Sequence, residues 1–340
     1  MDSIRVAIIG FGGIARSHNT AYVRLKEEGY PIELVAVCEK NAERVRQSVT
    51  TNLGGNDAPL DEKVRIYTDI DELIEKEDFD LADICLPTFL HKDFSVKLIR
   101  AGKHVLCEKP MALTSGDCRE MLLEAEESGR VLMIGQCLRF EPAYLYLKRL
   151  VESGELGALK YLTMERFSIY PTWGSDFGSM ERTGGCILDT HIHDIDIARF
   201  ILGEPEEVSA LWYNDLPHCQ RVNSRLYYGD CCVIADCAWD EAREKVFEAG
   251  YRASFEGGGV VCELDRVTLY KKGEKPCEVR LDEGDRISGE IRAVTDEILE
   301  RGDGGFYPPE SAMASVKLIE TLRKSAELGG IRLAADGNEV

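Results

Sequence analysis

The stretch from Ile4 to Ala21 constrains this chain more than any other. It reads Ile-Arg-Val-Ala-Ile-Ile-Gly-Phe-Gly-Gly-Ile-Ala-Arg-Ser-His-Asn-Thr-Ala. Val6 to Ile9 is a short, apolar, β-branched run, the pattern of a strand buried on both faces. Gly10-Phe11-Gly12-Gly13-Ile14-Ala15 then fits G-x-G-x-x-G/A, and a helical pattern follows. Gly10 permits a tight turn and Gly12 lets backbone approach a pyrophosphate. Ala15 is small enough for the helix to pack close to the strand. The helix start offers unpaired N–H groups and a partial positive charge to an anion. A glycine-rich structural turn is the plainer alternative. The strand before the motif and the helix after it favour a dinucleotide site.

Strand and helix patterns alternate up to Gln136. Apolar runs at Ile32–Cys38, Arg65–Tyr67, Leu81–Leu86, His104–Cys107 and Val131–Gln136 are separated by helical stretches, of which Asp69–Lys76, His91–Ala101 and Thr114–Ser128 are the clearest. That alternation implies βαβ units and a parallel sheet, whose ligands collect at the carboxyl ends of the strands. Gly10–Ala15, Glu39, Pro87, Thr88, Glu108, Lys109, Pro110 and Gln136 therefore share one rim. An acid about 20 residues past the glycine turn binds ribose hydroxyls and repels a 2′-phosphate. Glu39 takes that place, which favours NAD over NADP, although Lys40 beside it could pair with a phosphate.

Beyond Gln136 strand patterns dominate, from Leu159–Tyr170 to Glu278–Leu281, with short turns such as Gly229-Asp230. One large, mainly antiparallel sheet follows, with too little helix to cover both faces. An uncovered face points to self-association as a homodimer or homotetramer. Helices over Glu290–Glu300 and Glu310–Glu327 close the chain. The expected organisation is thus an α/β chain with a dinucleotide-binding domain over 1–136 and an α+β substrate-binding and oligomerisation domain over 137–340.

Charge excludes some partners. Lys and Arg number 41 against 61 Asp and Glu, a formal net charge of −20, which repels nucleic acid and anionic membrane. No signal-like or membrane-spanning apolar run occurs. The 12 cysteines are scattered through apparent strands and form no C-x-x-C pair, so buried thiols in a reducing cytoplasm are expected. Adjacent Cys231 and Cys232 point to opposite sheet faces and do not make a shared metal site.

Gly184 to Gly203 concentrates ionisable groups: Asp189, His191, His193, Asp194 and Asp196. Read as a helix, it puts Asp189, His193 and Asp196 on one stripe, beside an apolar stripe of Ile192, Ile195, Ala198 and Leu202. A carboxylate one turn from an imidazole suits a general base with an orienting partner. Read as a strand, it aligns Asp189, His191 and His193 with divalent-metal spacing. The apolar periodicity up to Gly203 favours the helix. His191 alone reads as a packing residue. Lys109 follows a buried strand on the ligand rim, where it can stabilise negative charge on a substrate oxygen; an exposed strand-end lysine is the alternative.

These residues carry a resemblance. Gly10–Ala15, then Cys85-Leu86-Pro87-Thr88 with His91, then Ala101-Gly102-Lys103-His104-Val105-Leu106-Cys107-Glu108-Lys109-Pro110, then Asp189 with His193, together resemble the Gfo/Idh/MocA family of NAD(P)-dependent oxidoreductases over nearly the whole chain. The resemblance implies an N-terminal Rossmann domain, an NAD cofactor and a polyhydroxylated substrate: a sugar, sugar derivative or cyclitol. It implies that the Glu-Lys-Pro lysine, Lys109, polarises the reacting hydroxyl, that His193 is the acid/base and that Asp189 assists it. Arg139, Arg166 and Trp173 fall where the family lines its sugar site. On the cofactor side it gathers Gly10, Gly12, Gly13, Ile14, Ala15, Glu39, Lys40, Pro87, Thr88, His91, Glu108, Lys109 and Gln136, with no metal. His191 and Thr88 depart from frequent family residues and leave the substrate open. Competing readings are a metal-dependent hydrolase using Asp189, His191 and His193, a glycosidase with tightly held NAD, and a non-catalytic NAD-binding protein.

Overall fold

The computed structural model describes residues 3–46, 58–171, 179–216, 219–240, 247–264, 266–300 and 307–339. It divides into two compact units, 1–137 with 285–313, and 138–284 with 314–340.

In the first unit the strands are β1 (Ile4–Ile9), β2 (Ile32–Cys38), β3 (Arg65–Tyr67), β4 (Leu81–Ile84), β5 (His104–Glu108) and β6 (Leu132–Gly135). The helices between them are α1 (Gly13–Glu27), α2 (Ala42–Val45), α3 (Ile70–Lys76), α4 (His91–Arg100) and α5 (Ser115–Ser128). All six strands are parallel, in the order β3-β2-β1-β4-β5-β6. Their apolar runs bury both faces: Val6, Ala7, Ile8, Leu81, Ile84 and Leu106 are fully buried. The helix boundaries follow local chemistry. Asp69 caps α3 by accepting the N–H groups of Asp71 and Glu72, and Gly129 ends α5 in the left-handed conformation.

The second unit begins with α6 (Pro142–Ser153) and β7 (Leu159–Ser168), followed by the short helices α7 (Met180–Thr183) and α8 (Gly185–Asp189) and by α9 (Ile192–Leu202). Then come β8 (Glu207–Leu216), β9 (Cys219–Tyr228), β10 (Cys231–Ala238), β11 (Phe247–Phe255), β12 (Gly258–Glu263), β13 (Arg266–Lys271) and β14 (Cys277–Glu278). The last elements of the chain are α10 (Arg286–Ile298), α11 (Pro309–Glu327) and β15 (Leu333–Ala334). Among the described residues the second sheet has nine strands, ordered β14-β13-β12-β11-β7-β10-β9-β8-β15, antiparallel except for the β7–β10 pair. Along its strands buried and open positions alternate. Leu162, Met164, Val233, Ala235, Tyr251 and Ala253 face inward, and Tyr161, Leu211, Tyr213 and Tyr270 are exposed. The strand expected over 278–281 contracts to Cys277–Glu278, an exposed edge with two paired positions on β13.

The structure departs from the expected division at α10. That helix lies against α1, β5 and β6 and belongs to the first unit. Ile287, Ile291, Ala293 and Val294 form its buried stripe. Its amphipathic pattern announces burial without naming the partner surface.

Candidate active site

The sheet order of the first unit reverses between β1 and β4, the place where such sheets take their ligands. Gly10 sits there with φ +86°, and a Cβ on it would lie 2.8 Å from the Cys85 carbonyl oxygen and 2.9 Å from Leu86 Cδ2. Both the conformation and the space demand glycine. Gly12 precedes α1 as its N-cap without a side-chain cap, and a Cβ there would meet nothing within 4 Å. Gly13 and Ile14 are half-buried in the first turn, and Ala15 is fully buried against the sheet. The turn is braced from β2: Glu39 Oε2 accepts the Phe11 N–H at 2.9 Å and Oε1 accepts the Asn41 N–H at 3.1 Å. Lys40 is exposed.

The same rim holds the other expected cofactor residues. His91 lies between two carbonyls, Nδ1 2.8 Å from Pro110 O and Nε2 2.7 Å from Leu86 O. It therefore ties the Glu-Lys-Pro turn to the Pro87–Thr88 turn. Burial lowers its pKa from the usual 6.5 against the pull of those carbonyls. Pro87 is half-buried and Thr88 buried. Glu108 Oε2 accepts the Lys109 backbone N–H at 3.0 Å, and the Lys109–Pro110 peptide is cis. Gln136 is buried at the end of β6, and its Nε2 donor has no partner among the described residues. An open glycine backbone, an uncapped helix start and an orphaned buried amide are together what a dinucleotide would satisfy, so the residues present fit NAD.

In the second unit the expected single helix over Asp189–Asp196 is interrupted. The His191 N–H reaches back five residues to Cys186 O at 2.9 Å, and the Thr190 N–H shares that carbonyl at 3.1 Å. This widened turn separates α8 from α9 and breaks the stripe expected from regular helical spacing. Asp189 and His193 remain half-buried on either side of it. Thr190 Oγ1 donates to Asp189 Oδ2 at 3.3 Å and accepts from Trp239 Nε1 at 2.8 Å. Asp196, within α9, is buried against Arg139.

His191 is fully buried with Nε2 2.7 Å from Ser224 Oγ, and burial pulls its pKa down to about 4. It is a packing residue. Among the described residues the groups with metal-compatible spacing centre on His18 and do not include Asp189, His191 and His193.

Arg139 and Arg166 do not have the exposure expected of sugar ligands. Arg139 is 3% exposed and grips Asp196 through Nε–Oδ2 at 2.8 Å and Nη2–Oδ1 at 2.6 Å. Arg166 is 4% exposed and grips Asp194 at 3.1 and 2.8 Å, with Tyr144 OH at 3.1 Å. Burial opposes the Arg166 charge, yet Asp194 holds its pKa above the ordinary value. These bidentate pairs anchor α9. Trp173 lies outside the described residues.

The spacing rules missed a buried polar set in the first unit: His18, Asp83, Glu108 and Glu290. Asp83 within the apolar run Leu-Ala-Asp-Ile was the available signal, because an acid inside a buried strand requires a partner.

Residues 4–136 match the oxidoreductase family with an NAD-binding Rossmann fold, and residues 144–279 match the GFO/IDH/MocA C-terminal domain. Inositol 2-dehydrogenase from Salmonella paratyphi B is 28% identical over 217 residues, 62% of this chain and 58% of that enzyme. The 1,5-anhydro-D-fructose reductase from Ensifer adhaerens is 32% identical over 210 residues, 61% and 59% of the two chains. The chain thus spans less than two thirds of the length of these curated relatives. A crystal structure of aldose-aldose oxidoreductase from Caulobacter crescentus, complexed with glycerol, superposes with a TM-score of 0.82 at 23% identity, covering 98% of this chain and 99% of that one; it shows the fold. With both domains matched in order and the glycine turn, Glu108-Lys109-Pro110, Asp189 and His193 present, the chain belongs to the Gfo/Idh/MocA oxidoreductase family.

Proposed function

We propose that the protein is an NAD-dependent dehydrogenase acting on a secondary hydroxyl of a sugar, sugar derivative or cyclitol. The observation that carries this reading is Lys109, fixed at the carboxyl end of β5 by Glu108 on its own amide and by His91 on the next carbonyl. Names of the relatives, an inositol dehydrogenase, an anhydrofructose reductase and an aldose oxidoreductase, support a polyhydroxylated substrate.

NAD, when bound, supplies the hydride acceptor. The chain supplies position and charge. Gly10, Gly12 and the start of α1 receive the pyrophosphate, and Glu39 takes the ribose hydroxyls. The Lys109 ammonium stabilises negative charge developing on the carbinol oxygen. His193 accepts the hydroxyl proton, and Asp189 orients it. General-base help of this kind contributes roughly 10²–10⁴ in rate.

A panel of polyols, aldoses and cyclitols with NAD or NADP, followed at the NADH absorbance, tests the reading. Turnover of one class with NAD is the expected result. Absence of turnover on the whole panel with Lys109 intact and NAD bound would overturn it.

We also infer that two or more copies associate through the open face of the second sheet. Tyr213 at 65% exposure, with Leu211, Tyr161 and Tyr270, gives that face its apolar character. The cysteines whose side chains are described form no disulfide, and most of them are buried, which supports a reducing cytoplasmic compartment. Among the described residues no helix is long and apolar enough to cross a membrane.

A further inference from the structure

Beneath Lys109 the first unit buries three carboxyl groups around one imidazole. His18 from α1, Asp83 from β4 and Glu290 from α10 are fully buried, and Glu108 is 6% exposed. His18 Nδ1 lies 2.8 Å from Asp83 Oδ2, and Nε2 lies 3.0 Å from Glu108 Oε1 and 3.5 Å from Glu290 Oε1. Tyr22 OH donates to Asp83 Oδ2 at 2.8 Å, and Cys85 Sγ donates to Oδ1 at 3.6 Å.

Asp83 accepts from Tyr22 and Cys85 and faces His18 Nδ1. Glu108 faces His18 Nε2 with one oxygen and accepts the Lys109 amide with the other. A carboxyl group at each ring nitrogen favours the doubly protonated His18 ring. Glu290 has no hydrogen-bond partner on either oxygen among the described residues, and its carboxyl oxygen lies within 4.8 Å of Glu108's. A second bare carboxylate in that place would be buried, unsolvated and repelled, so Glu290 keeps its proton. The titration tendencies agree. Burial opposes the charge on His18, but Asp83 raises its pKa well above 6.5. Burial, then Glu108, raises Glu290 well above 4.5.

We propose that His18 and Glu290 are positioning residues for Lys109: His18 holds one oxygen of Glu108 and Glu290 packs beside it, so that the other oxygen fixes the Lys109 backbone amide. The proposal rests on the reading of Lys109 given above, and it extends that reading to a helix near the other end of the chain. Glu290 fills the space beside Glu108 with a neutral acid, which neither repels the carboxylate nor competes with Lys109 for it. A divalent cation on His18, Glu108 and Glu290 is the rival arrangement.

The test uses the full chain with Glu290→Gln, Glu290→Ala and His18→Gln. Hydrogen exchange at the Lys109 amide, read by NMR against the core amide of Val105, should rise about 10-fold or more in Glu290→Ala and His18→Gln. It should stay near wild type in Glu290→Gln, which keeps the shape without a charge. Isotope-edited infrared near neutral pH should show a protonated carboxyl band that Glu290→Gln lacks. On a substrate found by the panel, Glu290→Ala should lose kcat with little change in NADH affinity, and Glu290→Gln should recover most of that loss. Unchanged Lys109 exchange in all three variants, absence of the carboxyl band, or stoichiometric zinc or manganese lost only on Glu290→Gln would each overturn the proposal. The exchange and infrared readouts do not require Lys109 to be catalytic. If they hold while Lys109→Ala turns over normally, the brace stands and the proposed function falls.

Discussion

Glu39 accepts the backbone N–H of Phe11 at 2.9 Å, joining the end of β2 to the middle of the glycine turn. One carboxylate thereby shapes the turn, and in the proposed function it also repels a 2′-phosphate. Glu39→Gln keeps an acceptor for Phe11 and removes the charge, whereas Glu39→Ala removes both. Titration of both cofactors should show NAD preferred in wild type. The preference should narrow about 10-fold or more in Glu39→Gln, with NAD binding weakened further in Glu39→Ala. An unchanged NAD/NADP ratio in both variants removes Glu39 from discrimination.

His193→Ala and Lys109→Ala should each reduce turnover by roughly 10²-fold or more. His193→Ala should keep its thermal midpoint and its NAD affinity, because the half-buried ring lies in the second unit while the nucleotide residues lie in the first. Steady-state kinetics with calorimetric NAD titration checks both. Normal turnover in both variants refutes the assignment.

Arg166→Ala should destabilise the protein by about 3–5 kcal/mol, because it leaves Asp194 buried without its counter-ion. Denaturant unfolding measures this. A raised KM with an unchanged unfolding midpoint would instead return Arg166 to the sugar site. Arg139→Ala, which strands Asp196, should behave in the same way.

The buried ionisable groups set opposite pH limbs. Unfolded His191 protonates below about pH 6.5 and the folded ring stays neutral to about 4, so stability falls as pH drops through that interval, by up to about 3 kcal/mol. Folded Glu290 keeps its proton above its ordinary 4.5, so the unfolded chain binds fewer protons there and stability falls with rising pH. His18, raised above 6.5, stabilises below that value and loses its contribution as pH rises through its folded pKa. The groups acting on Glu290 are Glu108, His18, Asp83 and Arg286, with Tyr22 and Cys137, whose own titrations Glu290 raises. As pH rises above the ordinary carboxyl value of 4.5, thermal midpoints should decline less in Glu290→Gln than in wild type. His191→Asn should flatten the acid limb. Parallel profiles in variants and wild type would remove these groups as its source.

Sedimentation at micromolar concentration should show a dimer or tetramer, and Tyr213→Glu with Leu211→Glu should dissociate it. A wild-type monomer rules out association through this sheet face.

The first sheet was legible because each strand is an apolar run closed by glycine, proline or a charge. Gly10 announced the switch point through the only residue its φ of +86° allows without strain. The Asp189–His193 pair misled because the spacing rule assumes a uniform helix, whereas the His191 amide skips to Cys186 and resets the register between the two. Arg139 and Arg166 looked available because a sequence shows a charge without its partner. His18 and Glu290 escaped notice because 272 positions separate two groups that the fold sets 3.5 Å apart.

The return of α10 to the first unit makes that unit discontinuous in the chain. A fragment ending at residue 137 would lose Ile287, Ile291 and Val294 from its core and leave the His18 side of α1 open to water. Neither unit can be excised with a single cut. A nucleotide-binding module taken from this protein for domain grafting must carry residues 285–313 on an engineered linker, or be circularly permuted so that α10 precedes β1.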